Sequence, residues 1–263
     1  LLVYRMFEPD RYLLVINAGN IDKDVDWIKS HSDGFDVNID NQSEKWGQIA
    51  VQGPDSESVI KEILGFEKAS SLSFYHFYEE NGVIVSRTGY TGEDGFEIYA
   101  SPERTVDMWN TLVRAGVQPC GLGCRDTLRF EAGLPLYGDE LSENISPVMA
   151  GLSIFCKMDK PDFIGKQSLS RQKEQGVERK LLGLEVLDRA IPRAGYPVEN
   201  AEGEVVGVVT TGYHSISMDK SIAFAMVDSS YAPLGTQLQV RIRNKVFPAV
   251  VVKKRFYQTN YKK

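Results

Sequence analysis

Beyond about Lys180 the chain changes texture, and this change limits its architecture more than any other feature. Short alternating apolar runs follow one another at residues 182–186, 205–209, 222–227, 238–242 and 249–252. Turns rich in Gly, Pro and Asp separate them, and no helical pattern lies between. Strands spaced in this way must cover one another, which predicts a small barrel or a sandwich.

Before that point helices and strands mix. Leu1-Leu2-Val3-Tyr4 reads as a strand already under way, which suggests that the numbered chain starts inside a domain. Residues 12–17 form a second apolar run, and Asn20 or Asp22 is the candidate cap of a helix carrying Val25 and Ile28. Residues 48–52 are a strand stopped by Gly53-Pro54. A helix follows, capped by Asp55 or Ser56, with Val59, Ile60, Ile63 and Leu64 on one face. Val83-Ile84-Val85 and Phe96-Glu97-Ile98-Tyr99 are predicted to pair as a hairpin across a glycine-rich link. Ser101-Pro102-Glu103 starts a helix whose buried stripe is Val106, Trp109, Leu112 and Val113. Further helices are expected at about 122–133 and 166–175. The expected fold class is α+β up to about residue 170, then a separate all-β part after about 179.

The function classes left open are few. Apolar residues make up 42% of the chain, enough for a substantial core, yet no run approaches the roughly 20 apolar residues that span a bilayer. Cys120, Cys124 and Cys156 cannot build a disulfide framework, and Cys120 and Cys124 read as small core residues. His31, His76 and His214 show no metal-ligand spacing, so no metal is expected. His214 reads as a loop residue, and the expected setting is reducing, cytoplasmic or organellar. The net charge is −6, but residues 241–263 hold eight basic residues and no acid. A basic end on an acidic chain fits either an anionic partner or a solvated tail.

Two segments have the composition of a site. In Arg87-Thr88-Gly89-Tyr90-Thr91-Gly92-Glu93-Asp94-Gly95-Phe96-Glu97-Ile98-Tyr99, three glycines in seven residues permit tight turns or close approach to a ligand. Strand alternation puts Phe96 and Ile98 on one face and Glu97 and Tyr99 on the other. Glu97 therefore faces either water or a cleft. As a phosphate loop the segment fails: it lacks the basic residue and following helix, and its acids repel phosphate. In Gly121-Leu122-Gly123-Cys124-Arg125-Asp126-Thr127-Leu128-Arg129, the two arginines are helical neighbours that repel mildly unless something anionic meets them. Arg129 fits either a local pair with Asp126 or an anion site.

Taken as an ordered set, these segments resemble those of the aminomethyltransferase family, the T-proteins of the glycine cleavage system. The likeness includes Arg87 to Tyr99, Leu122 to Leu134 with Leu136-Tyr137-Gly138, and Ile191-Pro192-Arg193-Ala194-Gly195-Tyr196-Pro197-Val198. Asn17-Ala18-Gly19-Asn20, Val51-Gln52-Gly53-Pro54, Asp162-Phe163-Ile164-Gly165-Lys166 and Thr259-Asn260-Tyr261 also fit. The resemblance implies a three-domain cloverleaf around a central channel, N-terminally incomplete here. On that scheme, residues 1–41 end the second α+β domain. Residues 42–170 are the later half of a discontinuous folate-binding α+β domain, and 179–263 are the C-terminal β-barrel.

The resemblance also implies tetrahydrofolate as cosubstrate and a lipoylated H-protein as partner, with no nucleic acid, membrane or metal involved. An aminomethyl group would pass from the lipoyl arm to the folate, giving methylenetetrahydrofolate and ammonia. Glu97 would contact the pterin ring, Arg129 would lie in the same site, Tyr90 would line it, and Tyr261 would come in from the barrel. The family's catalytic aspartate is expected upstream of Leu1, which would leave this segment inactive alone. The basic residues Lys253, Lys254 and Arg255 are expected to meet an acidic carrier. Met149 stands where an acid is usual, and residues 210–217 lack the common Ser-Pro step. Rivals within the fold are a folate-dependent demethylase and a folate-binding tRNA-modification or iron–sulfur-maintenance protein. The latter's Lys-Gly-Cys-Tyr signature is absent near residues 162–165. A nucleic-acid binder would need aromatic platforms beyond Phe256, Tyr257 and Tyr261.

Overall fold

The computed structural model describes residues 1–261. Lys262 and Lys263, the end of the basic stretch, lie outside them. The chain opens with an antiparallel hairpin of β1 (Leu2–Arg5) and β2 (Tyr12–Val15), then helix α1 (Ile21–Ser30). Neither proposed cap of α1 makes a capping bond. Instead Asn17 Oδ1 accepts from the Gly19 amide in the turn before it.

A four-stranded antiparallel sheet follows, in the order β3 (Gly47–Gln52), β6 (Gly95–Ala100), β5 (Val83–Ser86) and β4 (Phe77–Glu80). Its two faces are covered differently. Ile49, Val51, Val83, Val85, Phe96 and Ile98 pack beneath α2 (Ser56–Glu62) and α3 (Pro102–Arg114), which contribute Ile60 and Leu112. The opposite face carries Ile84 and Tyr99 and is partly covered by Tyr4 and Met6 at the opening hairpin. Period-two alternation thus places Glu97 on the face that the hairpin covers only in part. Ser101 caps α3 as expected, accepting from the Arg104 amide, with Pro102 in the first turn. Strand β4 was not foreseen, although Asn81-Gly82 between it and β5 is a hairpin signal.

The joint is built by α4 (Leu122–Glu131). Cys120 and Cys124 at its start are exposed, contrary to the expected core placement. The helix has no packed element over its first turns, so the thiols meet water. After α5 (Lys166–Gln175) the chain closes a six-stranded antiparallel barrel: β7 (Arg179–Val186), β8 (Pro197–Glu199), β9 (Val205–Ser215), β10 (Lys220–Asp228), β11 (Gln237–Ile242) and β12 (Lys245–Val252). Closure decides between the barrel and the sandwich, and it leaves no free sheet edge. Leu184, Val198, Val240 and Val251 are among the residues that fill it. His214 belongs to β9, where its Nε2 lies 2.9 Å from Asp219 Oδ1. The predicted loop is in fact strand, because β9 runs on to pair with β10 as far as Lys220↔Ser215. A separate cluster of Phe130, Phe224 and Phe256 joins α4 to the barrel wall, and Met149 packs against it.

Candidate functional site

The glycine-rich link is pinned at its base. Arg87 and Asp94, both buried, form a two-pronged pair: Nε to Oδ1 at 3.0 Å and Nη2 to Oδ2 at 2.7 Å. Arg87 also donates to Glu57 Oε2 and to the Leu72 carbonyl. Gln52 reaches under the loop, donating to the Thr88 and Phe96 carbonyls and accepting from Thr91. A Cβ on Gly95 would fall 2.4 Å from the Gln52 amide group, so the side chain that braces the loop would have to shift.

Glu97 stands on the partly covered face of β6. Its Oε1 accepts from Gln48 Nε2 at 2.8 Å, and its Oε2 accepts from Thr88 Oγ1 at 2.5 Å and from the Tyr99 hydroxyl at 3.4 Å. A carboxylate offers about four lone-pair sites, so Glu97 keeps acceptor capacity while only half-buried. Its charge is felt nearby. The Tyr99 hydroxyl is held well above the ordinary tyrosine range by burial and then by Glu97.

Arg129 lies elsewhere, and its side chain is wholly out of water. Five hydrogen bonds leave its guanidinium: to Asp126 Oδ1, the Leu134 carbonyl, Glu140 Oε2, Asp139 Oδ2 and Thr211 Oγ1. A guanidinium has five N–H donors, so none is left for a ligand. Glu140 in turn accepts from Thr210 and Thr211 of β9 and from the Leu136 amide. Tyr213 donates to Asp126. Both readings of Arg129 therefore meet in one place: the local pair with Asp126 exists, and the anions that surround it are the protein's own.

Arg125, one turn earlier, is exposed and lies 4.8 Å from the centre of the Tyr90 ring. Tyr90 donates its hydroxyl to the Pro135 carbonyl, and burial pushes that hydroxyl up to about 12 against the pull of Arg129 and Arg125. Spacing alone could not separate the two arginines. The fold separates them by bringing Asp139 and Glu140 onto Arg129.

The end of the chain returns from the barrel to this loop. Asn260 donates its amide to the Gly92 carbonyl at 2.9 Å, and both Tyr257 and the Asn260 side chain donate to Glu93 Oε1. Tyr261 then stacks on Phe74 at 4.5 Å, and Phe74 packs against Tyr75 at 4.3 Å. The tail thus brings Tyr261 onto Phe74, while Tyr90 and Arg125 meet each other near the start of α4. Tyr75 is exposed with φ 62, a left-handed position no sequence pattern signals.

The basic end does not act as a unit. Arg241 grips both Glu199 oxygens, and Lys254 is turned inward to the Ala150 carbonyl, its ammonium pKa lowered by burial. This corrects the expectation of a three-residue carrier patch, since only Lys253 and Arg255 face water.

A mixed α and β body closed by a six-stranded C-terminal barrel is the architecture of a glycine cleavage T-protein. Residues 1–160 match the family model described as the GCVT N-terminal domain, and 179–258 match the glycine cleavage T-protein C-terminal barrel domain. The chain is 48% identical to the aminomethyltransferase of Caldanaerobacter subterraneus subsp. tengcongensis, matching along its whole length and spanning 72% of that protein. It is 47% identical to that of Thermoanaerobacter pseudethanolicus, again along its whole length and over 73% of the relative. The solved glycine cleavage system aminomethyltransferase T from Bartonella henselae superposes with a TM-score of 0.88 at 30% identity, over 96% of this chain and 70% of that one. The chain belongs to the aminomethyltransferase family.

Proposed function

We propose that the chain supports tetrahydrofolate-dependent aminomethyl transfer from the lipoyl arm of an H-protein carrier. The methylene carbon leaves sulfur and the amine nitrogen and becomes bonded to two folate nitrogens. The two folate N–H protons pass to the departing thiolate and amine, so ammonia, dihydrolipoyl and methylenetetrahydrofolate balance the reaction. The substrates supply the reactive groups, and the protein's part is positioning.

One observation carries this reading: a half-buried carboxylate with acceptor capacity to spare, Glu97, on the sheet face that the opening hairpin covers only in part. A flat pterin presents adjacent N–H donors on one edge, which a carboxylate accepts well. Tyr90 forms a wall, and Arg125 offers its free guanidinium to an anionic group of the folate. Arg129 is a positioning residue, because its donors are spent on holding α4 against β9. Residues 1–41, 42–170 and 179–263 serve on this reading as the second domain's end, the folate-binding unit and the barrel.

The test follows ammonia release from aminomethylated carrier together with calorimetric binding of tetrahydrofolate. Folate binding that Glu97→Gln weakens at least tenfold, in a protein with unchanged melting, supports the assignment. Absence of folate binding, or binding indifferent to Glu97→Gln, overturns it.

A further inference from the structure

Part of the basic end finds a place outside the folate site. Arg243 and Lys245, at the turn between β11 and β12, face Arg189 and Arg193 of the loop after β7 across an open cleft of about 610 Å3. Its apolar wall is Tyr196, Ile242 and Phe247. The loop is held close to the barrel: a Cβ on Gly212 would fall 2.1 Å from the Pro192 carbonyl oxygen.

Among the described residues none of the four cations makes an ion pair, whereas Arg241 on the same hairpin is fully matched by Glu199. Asp188, next to Arg189 in the sequence, spends Oδ1 on the Arg189 amide. Arg193 leans toward the Tyr213 ring at 5.5 Å. Arg243 also sits at φ 56, a conformation that disfavours any residue with a Cβ. Four like charges around an apolar wall repel one another, and that cost is offset when a multivalent anion enters. The cleft lies within the usual range of small-molecule pockets, roughly 300–1,000 Å3.

We propose that this cleft binds a small multivalent anion carried on an aromatic or apolar body. Two chemical sources present that combination, a phosphorylated nucleotide and an oligocarboxylate tail on an aromatic ring. The site stands apart from Glu97 and does not depend on the folate reading.

The experiment is calorimetry of the chain with three probes: ATP, inorganic triphosphate and p-aminobenzoyl-triglutamate. It is run at about 50 and about 200 mM salt, because exposed charge pairs weaken as the screening length shortens. ATP or the triglutamate should bind more tightly than triphosphate, with affinity falling at higher salt. R243E/K245E should reduce that affinity at least tenfold, with tetrahydrofolate binding unchanged. Preference for ATP assigns the phosphate source, and preference for the triglutamate assigns the carboxylate source. Failure of all three probes at low salt, or binding indifferent to R243E/K245E, overturns the proposal. Triphosphate binding as tightly as both aromatic probes overturns the role given to the apolar wall.

Discussion

Arg129 Nη1 and Glu140 Oε2 meet at 2.6 Å with both side chains wholly excluded from water. Around them Asp126, Asp139, Thr210 and Thr211 complete a network that fastens α4 to strand β9. A buried pair of this kind adds little over a well-packed apolar pair, yet losing one partner leaves a charge stranded. Arg129→Met or Glu140→Leu alone should therefore destabilise the chain by about 3–5 kcal/mol in urea unfolding. The double variant should lose much less than the two single losses together. Additive losses would show that the two residues act independently.

Arg125 and Arg129 should separate cleanly by experiment. Arg125→Ala removes an exposed guanidinium whose one described contact is with the Tyr90 ring, so the melting temperature should stay within a degree or two. Tetrahydrofolate affinity should fall by about tenfold, as expected for a charge-assisted hydrogen bond of about 1.5 kcal/mol. Unchanged affinity in calorimetry would remove Arg125 from the folate site.

Lys254 makes stability depend on pH in a defined sense. Burial lowers its pKa below the ordinary 10.5, so the unfolded chain holds a proton that the folded chain has released. Through the window between the lowered value and 10.5, this residue makes stability rise with pH. Comparing urea midpoints of the parent and Lys254→Met across that window isolates the contribution, which should vanish in the variant. A parallel pH profile in both proteins would show that Lys254 stays charged inside.

Carrier recognition should follow the same division of the basic end. Lys253→Glu and Arg255→Glu should weaken carrier binding in low salt and leave the fold intact. Lys254→Glu should instead lower the melting temperature, because it sets an acid against the Ala150 carbonyl. Carrier affinity unmoved by the Lys253 and Arg255 reversals would place the docking face elsewhere.

The tail makes the most direct claim on the glycine-rich loop. Glu93→Ala removes the acceptor shared by Tyr257 and Asn260. Faster amide exchange near residues 257–261 should follow, with weaker folate binding if Tyr261 contributes a wall. Exchange rates equal to those of the parent would show that the Asn260–Gly92 bond is sufficient to hold it.

Legibility in the sequence followed local chemistry. The Ser101-Pro102 helix start, the β5–β6 pairing and the barrel strands were readable because caps, alternation and turns are written in neighbouring residues. Glu97's face was readable for the same reason. The fate of Arg129 was not, since Glu140 and Thr211 lie 11 and 82 residues away. Tyr75, Phe74 and the inward turn of Lys254 were hidden likewise, because packing between distant segments fixes them. Cys120 and Cys124 misled because small apolar thiols are usually buried, whereas the start of α4 projects into solvent.

The bond from Tyr257 to Glu93 spans 164 residues of sequence. During synthesis the glycine-rich loop can be pinned by Arg87 and Asp94 long before its partner from the barrel exists. A ribosome adding roughly 5–20 residues per second leaves that loop bare for on the order of ten seconds. The loop therefore gains its last partners only after the whole barrel has been made. A nascent chain stalled within the barrel would present a folded sheet with Glu93 still waiting for Tyr257 and Asn260.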